Sequence, residues 1–164
     1  MGLDMYLYLE DYIGGEFEHR NVKGKVKITY EPLNSTRTSL ELDASEISSI
    51  RRQVGYWHKA NAIHNWFVQE IANGKDECQE IHVSWEQLDE LEEIVCKILK
   101  HKNNQDELEA MAQELLPPTS GFFFGDTGIN EWYIHDLEET LTIIKEAKKD
   151  RHYLLNHLVY QASW

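Results

Sequence analysis

The segment LDMYLYLEDY near the start of the chain constrains the fold most strongly, because residues that favour β-strands dominate it. We predict a buried strand over residues 3–9. Asp4 interrupts this strand, and a buried carboxylate is costly unless it is paired. The sequence therefore predicts that this carboxylate meets a partner across a sheet–helix interface. The candidates are Arg51, Arg52 and His64, and a purely structural role of the pair stays open.

Alternation of apolar residues and capping signals predict the other elements. Strands are expected at 25–30, 38–42, 79–84, 121–125 and 158–163, and helices at 45–53, 57–72, 85–102, 105–116 and 130–149. Ser84 and Gln87 form a capping-box pattern at the start of the third of these helices. Together they predict an α+β fold in one globular domain over residues 1–164, with a mainly antiparallel sheet of about four or five strands and several helices packed on one face.

The charge of the chain limits its partners. It carries 16 Lys and Arg residues against 29 Asp and Glu residues, which gives a net charge of −13. Such a charge repels nucleic-acid backbones and anionic membranes, so direct nucleic-acid binding is not expected. Two kinds of partner fit it: a basic protein surface, or a small anionic ligand held in a local pocket of opposite sign. A homo-oligomer stays open.

The same sequence predicts a cytoplasmic protein without a metal or cofactor. Cys78 and Cys96 fit no metal or redox spacing and are expected to be reduced thiols. The N-terminal segment lacks a basic start, so no signal peptide is expected, and no apolar run of about 18 residues suggests a membrane span. The histidine spacings lack a ligand pair, and phosphate-binding loops and nucleophile motifs are missing from the sequence.

Residues 47–69 contain no carboxylate, which is unexpected in so acidic a chain, and we call them the basic island. If residues 57–72 form a helix, Trp57, Asn61 and His64 follow one another along one ridge of its surface. This ridge predicts one wall of a ligand site, where an indole, an amide and an imidazole face a nucleotide-like ligand. A packing role on the flank of an amphipathic helix is the alternative. The basic side chains expected to bind the ligand as well are Arg51, Arg52 and Lys59.

The stretch GFFFGDTGINEWY, residues 121–133, is a second candidate region. It predicts a loop that presents a carboxylate and aromatic rings beside the basic island, with Glu131 and Trp132 as further ligand-binding residues. The alternative is a buried strand, a turn and a helix start whose acids lie at the positive end of the helix dipole.

Four motifs carry a resemblance to a known family. MGLDMYL at the start, GYWHKANAIHNWF in the centre, GFFFG with EWY after it, and YQASW at the end together resemble a family of small tailed-phage and prophage proteins. His58 stands where this family would have Arg. The resemblance implies a phage-encoded accessory protein acting in the bacterial host cytoplasm, and it implies no particular activity or catalytic residues.

Three functions are compatible with these features. The first, which we favour, is a phage accessory protein with an anti-defence or host-modulating role that binds a small anionic, nucleotide-like ligand near the basic island. The second is an acidic decoy for a basic, nucleic-acid-binding host protein, because residues 75–116 hold twelve carboxylates and four lysines. The third is an acid–base hydrolase in which His64 is catalytic and Asp4 or Glu131 orients it. Whether the chain is an enzyme is left open.

Overall fold

A computed structural model of the chain describes residues 2–13, 25–29, 39–121, 124–151 and 156–164. The strands are β1 (Asp4–Tyr12), β2 (Lys25–Thr29), β3 (Ser39–Asp43), β4 (Ser49–His58), β5 (Ile81–Val83) and β6 (Asn156–Ser163). The helices are α1 (Asn61–Trp66), α2 (Trp85–Leu99), α3 (Gln105–Leu115) and α4 (Glu131–Lys148). A 3-10 turn at Ala44–Glu46 precedes β4, and a π-helical stretch at Phe67–Ile71 continues α1. None of these described helices combines the length and the apolar composition of a membrane span.

The chain forms two compact units, one of Met1–Leu9 with Arg52–Trp164 and one of Glu10–Arg51. The described strands form a four-stranded antiparallel sheet in the order β4-β1-β6-β5 and a two-stranded antiparallel sheet of β2 and β3. The two-stranded sheet belongs to the smaller unit. Together with the helices, these sheets confirm the predicted α+β fold with a mainly antiparallel sheet.

The alternation of side chains along β1 shows which face of the larger sheet the helices cover. Met5, Leu7 and Leu9 are fully buried in the core. Tyr6 and Tyr8 lie on the opposite face, where their half-buried rings stack with a centroid distance of 6.0 Å. The predicted N-terminal strand is therefore confirmed, but it is buried on one face only.

Helix α4 packs directly against β4 at Gly55. A Cβ atom placed on Gly55 would lie 2.3 Å from Cγ2 of Ile143 and 3.3 Å from Cβ of Leu7. Atoms cannot approach that closely, so a residue without a side chain is required for the helix to reach this strand. The same side of α4 buries Leu137 and Ile144 completely. This close contact fixes the position of α4 within the larger unit.

Several predicted elements are confirmed. Ser84 Oγ accepts a hydrogen bond from the Gln87 N–H at 3.1 Å, and Gln87 Oε1 accepts one from the Ser84 N–H at 2.9 Å, so the capping box at the start of α2 is present. The apolar stripe that follows is in the core, with Leu88, Leu91 and Val95 fully buried. The predicted strands that correspond to β2, β3, β5 and β6, and the helices that correspond to α3 and α4, are confirmed with ends shifted by a few residues.

The region before α1 contradicts one predicted element and shortens another. The helix predicted at 45–53 is wrong because β4 occupies its second half, and the helix predicted at 57–72 begins only at Asn61. Pairing with β1 keeps this segment extended, since the Lys59 N–H donates a hydrogen bond to the Leu3 carbonyl at 2.8 Å. Pairing with a neighbouring strand thus outweighs the local pattern that favoured a helix.

The strand predicted at 121–125 includes Phe122 and Phe123, which lie outside the described residues. Phe124 lies in a bend. Its ring packs edge-on against the ring of His64, with 5.1 Å between the centroids.

We expect the substitution Gly55→Ala to destabilise the protein by about 1–3 kcal/mol, because the added carbon overlaps Ile143. Urea unfolding measures the effect. In an Ile143→Ala background the penalty should largely disappear, which a double-mutant cycle detects. Gly2→Ala is the matched control, since the atoms nearest to its added carbon, at 3.1 Å, belong to the outer parts of the His58 and Lys59 side chains, which can move. Equal losses for the two glycine variants would contradict this packing argument.

Candidate ligand-binding site

A cavity of about 370 Å³ lies between the turn that joins β4 to α1 and the N-terminal half of α4. We call it the α4 cavity. Small-ligand sites typically have volumes of about 300–1,000 Å³, so its size is suitable for a ligand. Its polar and aromatic lining includes Tyr56, His58, Lys59, Asn61, Asp126, Asn130, Trp132, His135, Asp136 and Glu139.

Asn61 holds the walls of the α4 cavity together. Its buried side-chain amide donates hydrogen bonds to the carbonyls of Phe124 at 3.0 Å and Asp126 at 2.7 Å. Its carbonyl oxygen accepts one from the Thr119 N–H at 3.1 Å. The amide hydrogens and the oxygen are thus engaged with the backbone. Asn61 lines the cavity, and its side chain holds the loop before α4 in place.

Lys59, directly after β4, supplies positive charge to the lining of the α4 cavity. It has a left-handed backbone conformation, with φ of 61°, which ends β4 and turns the chain toward α1. Its side chain passes Gly125, where an added Cβ would lie 3.3 Å from Cβ of Lys59. Among the described residues, its ammonium group has no hydrogen-bond or ion-pair partner. It is therefore available to an anionic group.

Trp132 offers a flat apolar surface at the mouth of the α4 cavity. Its side chain is 67% exposed, which is unusual for an indole. Asn130 caps the helix and accepts a hydrogen bond from the Trp132 N–H at 2.9 Å, so the residue sits on a well-defined first turn. Glu131 begins the same turn but does not line the cavity.

One wall of the α4 cavity carries three residues of α4 whose ligand atoms converge. His135, Asp136 and Glu139 each offer a nitrogen or carboxylate oxygen, and these atoms all lie within 4.8 Å of one another. Nδ1 of His135 is 4.0 Å from Oδ1 of Asp136. Two side chains are exposed and Asp136 is half-buried. The wall can therefore accept hydrogen bonds, bind a cation or exchange a proton.

The carboxyl group of Asp136 has a raised pKa. Burial raises its pKa to about 6, the nearby charge of His135 opposes the increase, and the charge of Glu139 adds to it. The charge of His58, from β4, also lowers this pKa.

Asp4 of β1 contacts two residues of β4 that line the cavity, Tyr56 and His58. Its Oδ1 accepts a hydrogen bond from the Tyr56 hydroxyl at 2.6 Å and lies 3.2 Å from Nδ1 of His58. These bonds lower the pKa of Asp4, with the Tyr56 bond as the larger cause, and the bond to Asp4 raises the pKa of Tyr56 to about 12. The carboxylate orients the imidazole and leaves Nε2 as its second ring nitrogen.

Two features predicted for Asp4 are wrong. Its side chain is 34% exposed, because it lies on the tyrosine face of β1 and not in the core. Its partners Tyr56 and His58 belong to the adjacent strand, so the contact does not cross a sheet–helix interface. The prediction that Asp4 meets a residue of the basic island is confirmed, but none of the three candidates named from the sequence is that residue.

The two arginines of the basic island are occupied by acidic partners outside the α4 cavity. Arg51, in the smaller unit, forms an ion pair with Glu10 at 2.9 Å. Arg52 forms one with Asp150 at 3.0 Å. Neither arginine lines the cavity. The two side chains lie away from the cavity because residues 51 and 52 belong to a strand and not to the predicted helix.

The predicted ridge of Trp57, Asn61 and His64 does not exist, because Trp57 belongs to β4 and only the other two lie on α1. Trp57 is fully buried, and its Nε1 donates a hydrogen bond to Oγ1 of Thr140 at 2.9 Å. This bond joins β4 to α4. Trp57 therefore packs and anchors the wall of the cavity without lining it.

His64 is a buried structural histidine in this arrangement. It is 2% exposed, with Nδ1 2.7 Å from the Tyr160 hydroxyl and Nε2 3.1 Å from Oδ2 of Asp76. Both ring nitrogens are engaged, and the residue does not line the α4 cavity. This placement removes the geometric support for the predicted catalytic role of His64.

The residues of the cavity wall that were not chosen from the sequence include His58, His135, Asp136 and Glu139. A usable signal was present for three of them. On the helix predicted at 130–149, residues four apart and three apart lie on one face, which places the histidine and both acids together. His58 could not be identified in this way, because its neighbour Asp4 comes from a distant part of the chain.

Comparison with known proteins gives no further guide to the site. No protein-family model, no curated protein and no solved structure matches the chain. The geometry of the α4 cavity is therefore the basis for assigning a function.

The raised pKa of Asp136 predicts a pH-dependent stability. The folded state holds the proton up to about pH 6 and the unfolded state only to 3.8, so the folded state binds more protons between these values. The stability contribution of this carboxyl is thus fully present below pH 3.8 and is lost as pH rises through about 6. The free energy of unfolding of Asp136→Asn minus that of the wild type should therefore increase by about 2 kcal/mol from pH 4 to pH 8. Denaturant unfolding in the presence of a chelator measures this difference, and a constant difference across the range would contradict the burial of the carboxyl group.

Proposed function

We propose that the chain binds a small nucleotide-like ligand in the α4 cavity, with a flat ring against Trp132 and an anionic group at Lys59. The observation that carries this proposal is that these two side chains line the same cavity of about 370 Å³. Both were identified from the sequence as ligand-binding residues, and both are accessible. The proposal is a binding function and does not require catalysis.

The chemistry of these two residues suits a base joined to a phosphate. An exposed indole stacks with any aromatic ring, and stacking of this kind contributes about 1–3 kcal/mol per base. A lysine ammonium is a compact charge with three donors, which suits a phosphate or carboxylate oxygen. Since Lys59 has no partner among the described residues, an anion would not have to displace an existing ion pair.

The rest of the lining restricts the ligand further. The cavity combines both signs of charge, because Asp126, Asp136 and Glu139 line it together with Lys59. Carboxylates accept hydrogen bonds, so the ligand should carry hydroxyl or amino groups as well as its anionic group. A nucleoside phosphate has all three features: a flat base, hydroxyl groups and a negative charge.

The phage accessory role is part of this proposal and rests on the sequence motifs alone. In that role the protein would bind a nucleotide or a related signal in the bacterial host cytoplasm.

The acidic decoy gains less support from the structure than the binding function does. An acidic decoy needs unpaired carboxylates, but on α2 both Asp89 and Glu92 form ion pairs with Lys148 of α4. On α3, Glu107 pairs with His101 at 2.7 Å. These contacts use part of the acidic surface internally.

Calorimetric titration with a panel of nucleoside mono-, di- and triphosphates, each with and without a divalent metal ion, tests the proposed function. We expect Lys59→Gln and Trp132→Ala each to weaken binding by about tenfold. Lys145→Gln, on an exposed position of α4, and Trp164→Ala, at the exposed chain end, are the matched controls and should bind like the wild type. Absence of nucleotide binding by the wild type, or equal losses of affinity in the two control variants, would contradict the proposal.

A further inference from the structure

We propose that His135, Asp136 and Glu139 form a binding site for a divalent transition-metal ion in the wall of the α4 cavity. We infer the metal site from the positions of these three residues alone. It rests on the proposed function in one respect only, namely that the bound ion would bridge this wall to the anionic group of the ligand.

The spacing of the three residues directs them to one point. His135 and Glu139 are four residues apart and Asp136 and Glu139 are three apart, so all three lie on one face of α4. Their ligand atoms lie within 4.8 Å of one another. Atoms bound to one ion at about 2.0–2.2 Å are about 3–4 Å apart, so small side-chain rotations would bring them into coordination distance.

A histidine from a different element faces the same cavity. His58 of β4 lines it, and Oδ1 of Asp4 lies 3.2 Å from Nδ1 of this imidazole. Metal-binding histidines commonly have one ring nitrogen bonded to a carboxylate, which orients the other nitrogen toward the ion. The pair of Asp4 and His58 has this arrangement, and it is independent of the cluster on α4.

Charge balance is a further argument for a cation. The cavity is lined by three carboxylates, of Asp126, Asp136 and Glu139, against the single ammonium of Lys59. An anionic ligand would be repelled by this surplus of negative charge. A divalent ion would neutralise it and supply a direct ligand for a phosphate oxygen. The same cavity would then bind an anion in spite of its acidic wall.

The ligand atoms indicate the class of ion. Imidazole nitrogen favours ions such as Zn²⁺ and Fe²⁺, whereas carboxylate oxygen also suits Mn²⁺. The mixture of one or two imidazoles with two carboxylates therefore favours Mn²⁺ or Zn²⁺ over Ca²⁺.

A Mn²⁺ titration of the chelator-treated full chain tests the site, with the free ion followed by electron paramagnetic resonance and Zn²⁺ added as competitor. We expect one Mn²⁺ per chain, displaced by Zn²⁺. His135→Ala and Glu139→Gln should each bind the ion at least tenfold more weakly. All variants are first checked for an unchanged circular dichroism spectrum.

Two control variants distinguish this site from adventitious binding. Glu138→Gln removes the neighbouring carboxylate of α4, which is paired with Lys102 at 3.0 Å. His82→Ala removes half of a histidine pair on the sheet, where the rings of His82 and His157 are 5.6 Å apart. Both controls should bind Mn²⁺ like the wild type. Loss of binding in His82→Ala with retention in His135→Ala would overturn the proposal, as would the absence of Mn²⁺ binding by the wild type.

Nucleotide titrations with and without Mn²⁺ separate this inference from the proposed function. Nucleotide binding that strengthens at least tenfold with Mn²⁺ supports the bridging role. Mn²⁺ binding without any nucleotide binding supports the metal site and contradicts the proposed function. Nucleotide binding that is equally strong in a chelator overturns the bridging role.

Discussion

The contact between β4 and α4 is the constraint on which the candidate site depends. Gly55 lets the helix approach the strand at Ile143, and the indole of Trp57 donates a hydrogen bond to Thr140 one turn away. Oγ1 of Thr140 in turn donates to the carbonyl of Asp136 at 2.7 Å. Steric contact sets the distance between the two elements, and the hydrogen bond sets the rotation of the helix. Together they direct the polar face of α4 into the cavity.

The α4 cavity owes its mixed character to the two elements that form it. The turn after β4 contributes Lys59, whose left-handed backbone ends the strand, and the helix contributes carboxylates and an imidazole. Asn61 ties the intervening loop to this turn through its three hydrogen bonds. An ammonium and an acidic wall therefore face the same space, which suits a ligand with both an anionic group and hydrogen-bond donors, accompanied by a cation.

Local signals predicted the elements that do not depend on distant partners. The capping box of Ser84 and Gln87 and the apolar stripe after it define α2 within one stretch of sequence. The first part of the basic island was misassigned because strand pairing with β1, which joins residues as distant in sequence as Leu3 and Lys59, outweighs its helix-like spacing. Trp57 was selected on the part of the predicted helix that is a strand, whereas His64 does lie on α1, and both side chains are buried. Lys59 was named from the sequence for its charge and Trp132 for its aromatic ring after the glycine-rich stretch, and both line the α4 cavity.

The most direct test of the central claim, that the α4 cavity is the binding surface, is an NMR titration that follows the indole N–H signals of the tryptophans. Nucleoside triphosphates and Zn²⁺ are added to the ¹⁵N-labelled chain. We expect the exposed indole of Trp132 to change its chemical shift, while that of Trp57, bonded to Thr140, keeps its own. An unchanged Trp132 signal, with shifts confined to Trp66, Trp85 or Trp164, would contradict it.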